Sequence, residues 1–206
     1  MTLSLAHTGA WALDIRSLWD FADPARSEAV FCEQLKTAGR DDALSLQTQI
    51  ARSYGLRSRF ADAHALLDQI EPQLAGAAPQ PRVRHLLERG RTWRSSGDSE
   101  RARPWFEQAV DLALSAGLDE LAVDAMHMVA LVEKAPAAQL RWNHRALALA
   151  QASLDPHARN WDASLANNID MTFHDQGRFD AALASFQTAL AARASVRPRG
   201  LARRAG

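Results

Sequence analysis

The chain has 206 residues, of which 24 are basic and 24 acidic, so its formal net charge is zero and no whole-molecule field draws it to nucleic acid or an anionic membrane. Cys32 is the sole cysteine, which excludes an internal disulfide and a cysteine-rich zinc cluster and makes a reducing, cytoplasmic setting the expectation. No stretch approaches about 18 consecutive apolar residues, the length of a membrane span, and Met1 to Ala12 lacks the basic start and unbroken apolar core of a secretory signal.

Apolar spacing of the helical period predicts ten helices and no strand. The first two, at 11–22 and 26–38, form a degenerate hairpin within residues 1–40 that caps the next hairpin in the chain, with Trp11, Leu18, Trp19, Val30, Phe31 and Leu35 on its apolar side. Helices at 42–56 and 61–74 come next, and then Ala75 to Pro81, carrying Gly76, Pro79 and Pro81, reads as a hinge. Beyond it lie helices at 82–95 and 100–116, and Pro104, early in the second, predicts a late start or a kink. The remaining helices are 119–132, 137–153, 157–175 and 179–195, and residues 196–206 read as a flexible arginine-rich tail.

Residues 41–195 repeat. Ala51, Tyr54, Ser58, Phe60, Ala63 and Leu67 recur in type and spacing as Gly90, Trp93, Gly97, Ser99, Ala102 and Phe106, and again as Asp170, Phe173, Gly177, Phe179, Ala182 and Phe186. A degenerate copy reads Met126, Val129, Glu133, Ala135, Ala138 and Trp142, with uncertain register in its first helix. The four alanine markers lie 39, 36 and 44 residues apart. A small residue lets two helix backbones approach, an aromatic three positions later shares its face, and a glycine accepts the positive φ that ends a helix. Beyond the turn, alanine and a bulky residue four positions on form one stripe of a second helix. Each copy is therefore a helical hairpin.

This pattern resembles the tetratricopeptide repeat, most closely in FHDQGRFDAALASFQTAL from Phe173 to Leu190, and covers about Asp41 to Arg193. The repeat length is similar to that of long-helix versions such as kinesin light chain rather than the 34-residue standard. The resemblance implies an all-α, right-handed solenoid of antiparallel hairpins that binds a protein or peptide in a concave groove and does no chemistry. A regulatory sensor that changes conformation on binding a signalling peptide is the alternative. Three residues depart from the pattern: Asp170 in a slot that normally holds Gly or Ala, Arg89 where Leu is usual, and Pro104.

In such arrays the first helix of each hairpin lines the groove. Counting from the aligned slots places Arg52, Arg91, His127 and Met171 there, with Gln49, Glu88, Asp124 and Asn168 two positions before the small slot and Thr48, Leu87, Val123 and Asn167 one further back. Arg84 and Arg94 flank the second set. Arginine gives bidentate bonds to carboxylates, so the implied partner is an extended, acidic protein segment or peptide. Asn168 matches the groove asparagine that fixes a bound peptide's backbone in several such families. Two other readings stand beside this one: solvated helix faces balanced by Glu88 and Asp124, and a structural polar network of His85, Glu88 and His127.

The search for chemistry returns little. There is no glycine-rich phosphate loop, nucleophile elbow or dinucleotide fingerprint, so no cofactor is expected. His7, His64, His85, His127, His144, His157 and His174 show no zinc-helix spacing and read as scattered surface residues, so no metal is expected either. Asp170 and His174, four apart, share a helix face as a base and its orienting carboxylate would, though a helix-stabilising pair explains them more simply. Past Phe179, Leu183, Phe186 and Leu190 the tail carries arginines, no acid and Pro198. That apolar stripe is expected to be a homodimer interface or the edge of an incomplete array.

Overall fold

The computed structural model describes residues 13–196, with side chains through Gln187. Met1 to Ala12 with Trp11, the side chain of Leu190 and the expected tail at 197–206 lie outside the described residues. Every regular element is helical and no strand occurs among the described residues. Two compact units divide the chain, Met1–Ser96 and Gly97–Gly206.

The first unit opens on a single 3-10 turn, Ile15–Leu18, where the sequence predicts a helix over 11–22. Local side-chain bonds compete with helix here. The Asp14 carboxylate accepts from the Ser17 amide at 3.4 Å, and Ser27 Oγ accepts from the Asp20 amide at 2.8 Å and donates to the Asp20 carbonyl at 2.9 Å. The helix α1 (Pro24–Leu35) then starts on the Asp23 cap. It packs against α2 (Arg40–Leu56), burying Phe31 with Ile15, Leu46 and Ile50. The third helix, α3 (Phe60–Ile70), folds back on α2 after a turn whose Ser58 takes φ +59°. Ala51 and Ala63 meet there, both fully buried beside Leu44, Leu67 and Ile70.

Two boundaries differ from expectation because of proline. The helix expected over 61–74 gives way at Glu71 to a 3-10 turn, Glu71–Leu74, containing Pro72. The expected hinge shrinks to four residues, because Pro79 and Pro81 enter the first turn of α4 (Pro79–Ser95), where a missing N–H is no loss. α4 lies against α2 and α3.

The second unit begins with α5 (Ser99–Ser115), started by the Asp98 carboxylate, and Pro104 delays nothing. It packs on α6 (Asp119–Val132), which packs in turn on α7 (Pro136–Ala152). The helix expected over 157–175 is broken in two, α8 (Pro156–Arg159) and α9 (Asp162–Asp175), separated by Asn160 and Trp161. α9 packs on α7 and forms a hairpin with α10 (Phe179–Val196) around Gly177 at φ +70°. Ala102 and Phe106 are fully buried, whereas Ala182 is half-buried and Phe186 exposed.

Candidate functional site

In the first unit, the helix period brings Arg52 on α2 and Arg91 on α4 to one carboxylate. Glu88 Oε1 accepts from Arg91 Nη1 at 2.6 Å and lies 3.6 Å from Arg52 Nη1. Glu88 is 1% exposed, and its Oε2 is buried with no hydrogen-bond partner. The Arg52 guanidinium also lies 5.4 Å from the Trp19 ring and 5.3 Å from Phe21, which stack on each other at 4.8 Å. Trp19 Nε1 donates to Gln49 Oε1 at 2.9 Å, and Gln49 is itself buried. Arg52 thus sits in an aromatic and acidic seat built partly by the segment before α1. Arg84 and Arg94, on the same α4, are half-buried.

In the second unit, the break before α9 turns the Trp161 ring to His127 of α6, with centroids 5.4 Å apart. Asn168 Nδ2 donates to His127 Nδ1 at 2.9 Å, which holds the imidazole as its Nε2–H tautomer. Asn167 is exposed, and Met171 is 52% exposed. The aligned positions divide sharply: Thr48, Gln49, Leu87, Glu88, Val123 and Asp124 are buried, and only Asn167 and Asn168 of these slots reach the surface. Burial of Thr48, Gln49, Glu88 and Asp124 is invisible in residue type, because such polar and charged side chains are ordinarily on the surface.

The histidines are not all superficial. His85 is 2% exposed and its Nε2 donates to the Leu67 carbonyl at 3.1 Å. His64 is half-buried, its ring 4.3 Å from that of Trp93, and its Nδ1 accepts from Arg89 Nη1 at 3.0 Å. Burial lowers the pKa of both below the usual histidine value, and the Arg89 charge lowers it further. Arg89 itself, in the leucine slot, is 6% exposed and reaches the exposed carboxylates of Asp68 at 2.5 Å and Glu71 at 3.7 Å.

Asp170 and His174 do not form a catalytic pair. His174 Nδ1 lies 3.7 Å from Asp175 and its ring packs edge-on to Phe179, while both oxygens of Asp170 are buried with no hydrogen-bond partner. No group of three or more His, Cys, Asp or Glu side chains that could hold a metal occurs among the described residues. No helix among them is long and apolar enough to cross a membrane. On α10, Phe179, Leu183 and Phe186 are 61%, 57% and 56% exposed.

Solved structures share this arrangement. BtubC (BKLC) from P. vanneervenii superposes with a TM-score of 0.65 at 15% identity, over 89% of this chain and 78% of that one. Nearly identical TPR-like repeats of the kinesin light chain kind from Podosopora anserina give 0.59 at 17% identity, over 89% and 93%. No family model matches the sequence, and no curated protein matches it. At these identities the likeness speaks for the fold alone: the chain is an array of helical hairpins with a TPR-like repeat fold.

Proposed function

We propose that this chain is a non-catalytic scaffold that holds an extended protein segment against the exposed sides of its first helices. Helical repeats of this type commonly serve protein interaction, and stacked hairpins supply a long surface without further machinery. The observation that carries the reading is the Asn168–His127 pair: a side-chain amide fixed at 2.9 Å by a ring nitrogen, beside exposed Asn167 and Met171. A fixed amide presents its oxygen to a ligand backbone N–H with little ordering cost on binding.

The first unit supports an acidic ligand. Arg52 on α2 and Arg91 on α4 share the one buried Glu88 carboxylate, two cations to one anion. Guanidiniums held by Glu88 and by the Trp19 and Phe21 rings are pre-oriented for a second carboxylate. The expected setting is the cytoplasm, with no cofactor, nucleic acid or membrane involved.

Affinity capture from native lysate, read by mass spectrometry, tests the proposal. The wild-type chain should enrich a specific protein with acidic segments, and the triple variant Arg52→Ala, Arg91→Ala, Asn168→Ala should lose it. Equal recovery by both would remove these residues from the binding role.

A further inference from the structure

The surroundings of His64 on α3 hold its ring neutral. Its Nδ1 accepts from Arg89 Nη1 of α4 at 3.0 Å, which leaves the ring proton on Nε2, and Nε2 is closed to solvent with no hydrogen-bond partner. The ring lies 4.3 Å from that of Trp93, one turn further along α4. A second proton would turn Nδ1 from acceptor to donor and set an imidazolium against a guanidinium that is itself only 6% exposed. Burial, and then the Arg89 charge, accordingly lower the His64 pKa from the usual histidine value.

The charged groups around this ring offer a second arrangement. Asp68, one turn on along α3, accepts from Arg89 Nη2 at 2.5 Å, and it is near enough to His64 to raise that pKa against the two opposing causes. Glu71, just past α3, lies 3.7 Å from the same guanidinium. α2 meets α3 through Leu44, Ala51 and Tyr54, and burial keeps the Tyr54 phenol neutral by raising its pKa. α4 also brings His85, whose Nε2 donates to the Leu67 carbonyl at 3.1 Å. An imidazolium keeps that bond, because both of its nitrogens donate. Protonation therefore breaks the α3–α4 contact at His64 and spares the one at His85.

We propose that His64 is a proton switch between α3 and α4: on taking up a proton its imidazolium claims the Asp68 carboxylate, the Arg89 guanidinium leaves for solvent, and α4 shifts on α3. The exchange keeps the junction paired, since one cation replaces another at the same carboxylate while the displaced one regains water. Glu88 precedes Arg89 on α4 and lies 3.6 Å from Arg52 of α2, so a shift of α4 alters the arginine pair as well. Its consequence for ligand binding rests on the proposed groove, whereas the exchange at His64 does not.

The test needs no ligand. The full chain is labelled with fluorotryptophan, the resonances are assigned by single Trp→Phe replacements, and fluorine NMR follows them from about pH 8 to 5. Trp93, against His64, and Trp19, stacked beneath Arg52, should shift together with one midpoint below the usual histidine value, while circular dichroism keeps its helical signal. His64→Gln should remove the transition at both rings. Arg89→Gln should move the Trp93 midpoint to higher pH and Asp68→Asn to lower pH, and these two variants decide the matter if His64→Gln misfolds. A silent Trp93, a transition that survives His64→Gln, or a midpoint that neither neighbouring variant moves overturns the proposal. So does a Trp93 transition with Trp19 unmoved, which would confine the change to the ring, and so does loss of helix at the same midpoint, which would make it acid unfolding. Equal lysate capture by the triple groove variant, with these shifts intact, would remove the binding reading and leave the switch standing.

Discussion

Replacing Arg89 by Leu restores the residue type usual at its repeat position, and the structure says how much this should cost. The guanidinium is 6% exposed, but Asp68 and Glu71 are 67% and 57% exposed, so both carboxylates regain water when the cation goes. Ion pairs with such partners contribute about 0.2–1 kcal/mol each. The bond to His64 Nδ1 adds about 1.5–3 kcal/mol as a charge-assisted hydrogen bond, part of which returns because the His64 side chain is only half-buried and water can replace the guanidinium. Against these losses, Leu is ordered at about 1 kcal/mol less entropic cost than Arg and removes a charge from the interior. The opposing contributions nearly cancel, so Arg89→Leu should change stability by no more than about 1 kcal/mol, roughly 2–4 °C in melting temperature. Arg89→Ala loses the packed side-chain stem as well and should cost about 2–4 kcal/mol. Thermal melts followed by far-ultraviolet circular dichroism compare the two. If the Leu variant falls as far as the Ala variant, the cluster stabilises through its charges, and the reasoning is refuted.

Other measurements probe neighbouring points. Because the folded pKa values of His64 and His85 lie below the ordinary histidine value of about 6.5, the folded chain binds fewer protons than the unfolded one; stability is whole above that range and declines as pH falls below it. Melting temperature should therefore drop between pH 7 and 5, and less so in Arg89→Leu; a flat or rising profile would contradict the buried neutral imidazoles. Ala63→Leu overfills the fully buried contact with Ala51 and Leu67 and should cost roughly 1–3 kcal/mol in urea unfolding, whereas an unchanged midpoint would place the hairpin contact elsewhere. Ser58→Gly relieves a left-handed backbone worth about 1–2 kcal/mol and returns about 0.4–1 kcal/mol in unfolded-chain freedom, so it should raise the melting temperature slightly; a decrease would mean that the serine hydroxyl is needed.

The repeats were the legible part, because their devices are local. Small residues, aromatics and turn glycines act within one hairpin, and the helix expected over 119–132 is α6, Asp119–Val132. Where long-range contacts decide, residue type carried less. Nothing in Asn160–Trp161 signals a helix break, since neither residue is a proline or glycine; the break accompanies the packing of Trp161 on His127, a residue of a different helix far back in the chain. The helix expected over 11–22 lost to short bonds by Asp14, Ser17 and Ser27, a competition that patterning alone does not rank. Of the candidate site, Arg52 and Arg91 were readable as a repeat-phase pair, but the seat that Trp19, Phe21 and Glu88 make for Arg52 was not. The burial of His85 and Gln49 depends on α3 and Trp19 respectively, and neither neighbour is near in sequence.

Site-specific photo-crosslinking in native lysate tests the central claim most directly. A photoreactive residue at Met171, exposed on the first-helix side of the last hairpin, should yield one dominant covalent adduct with the captured partner, and the same group at exposed His144 on α7 should yield none. Adducts of equal yield from both positions, or from His144 alone, would show that the first helices do not carry the binding face.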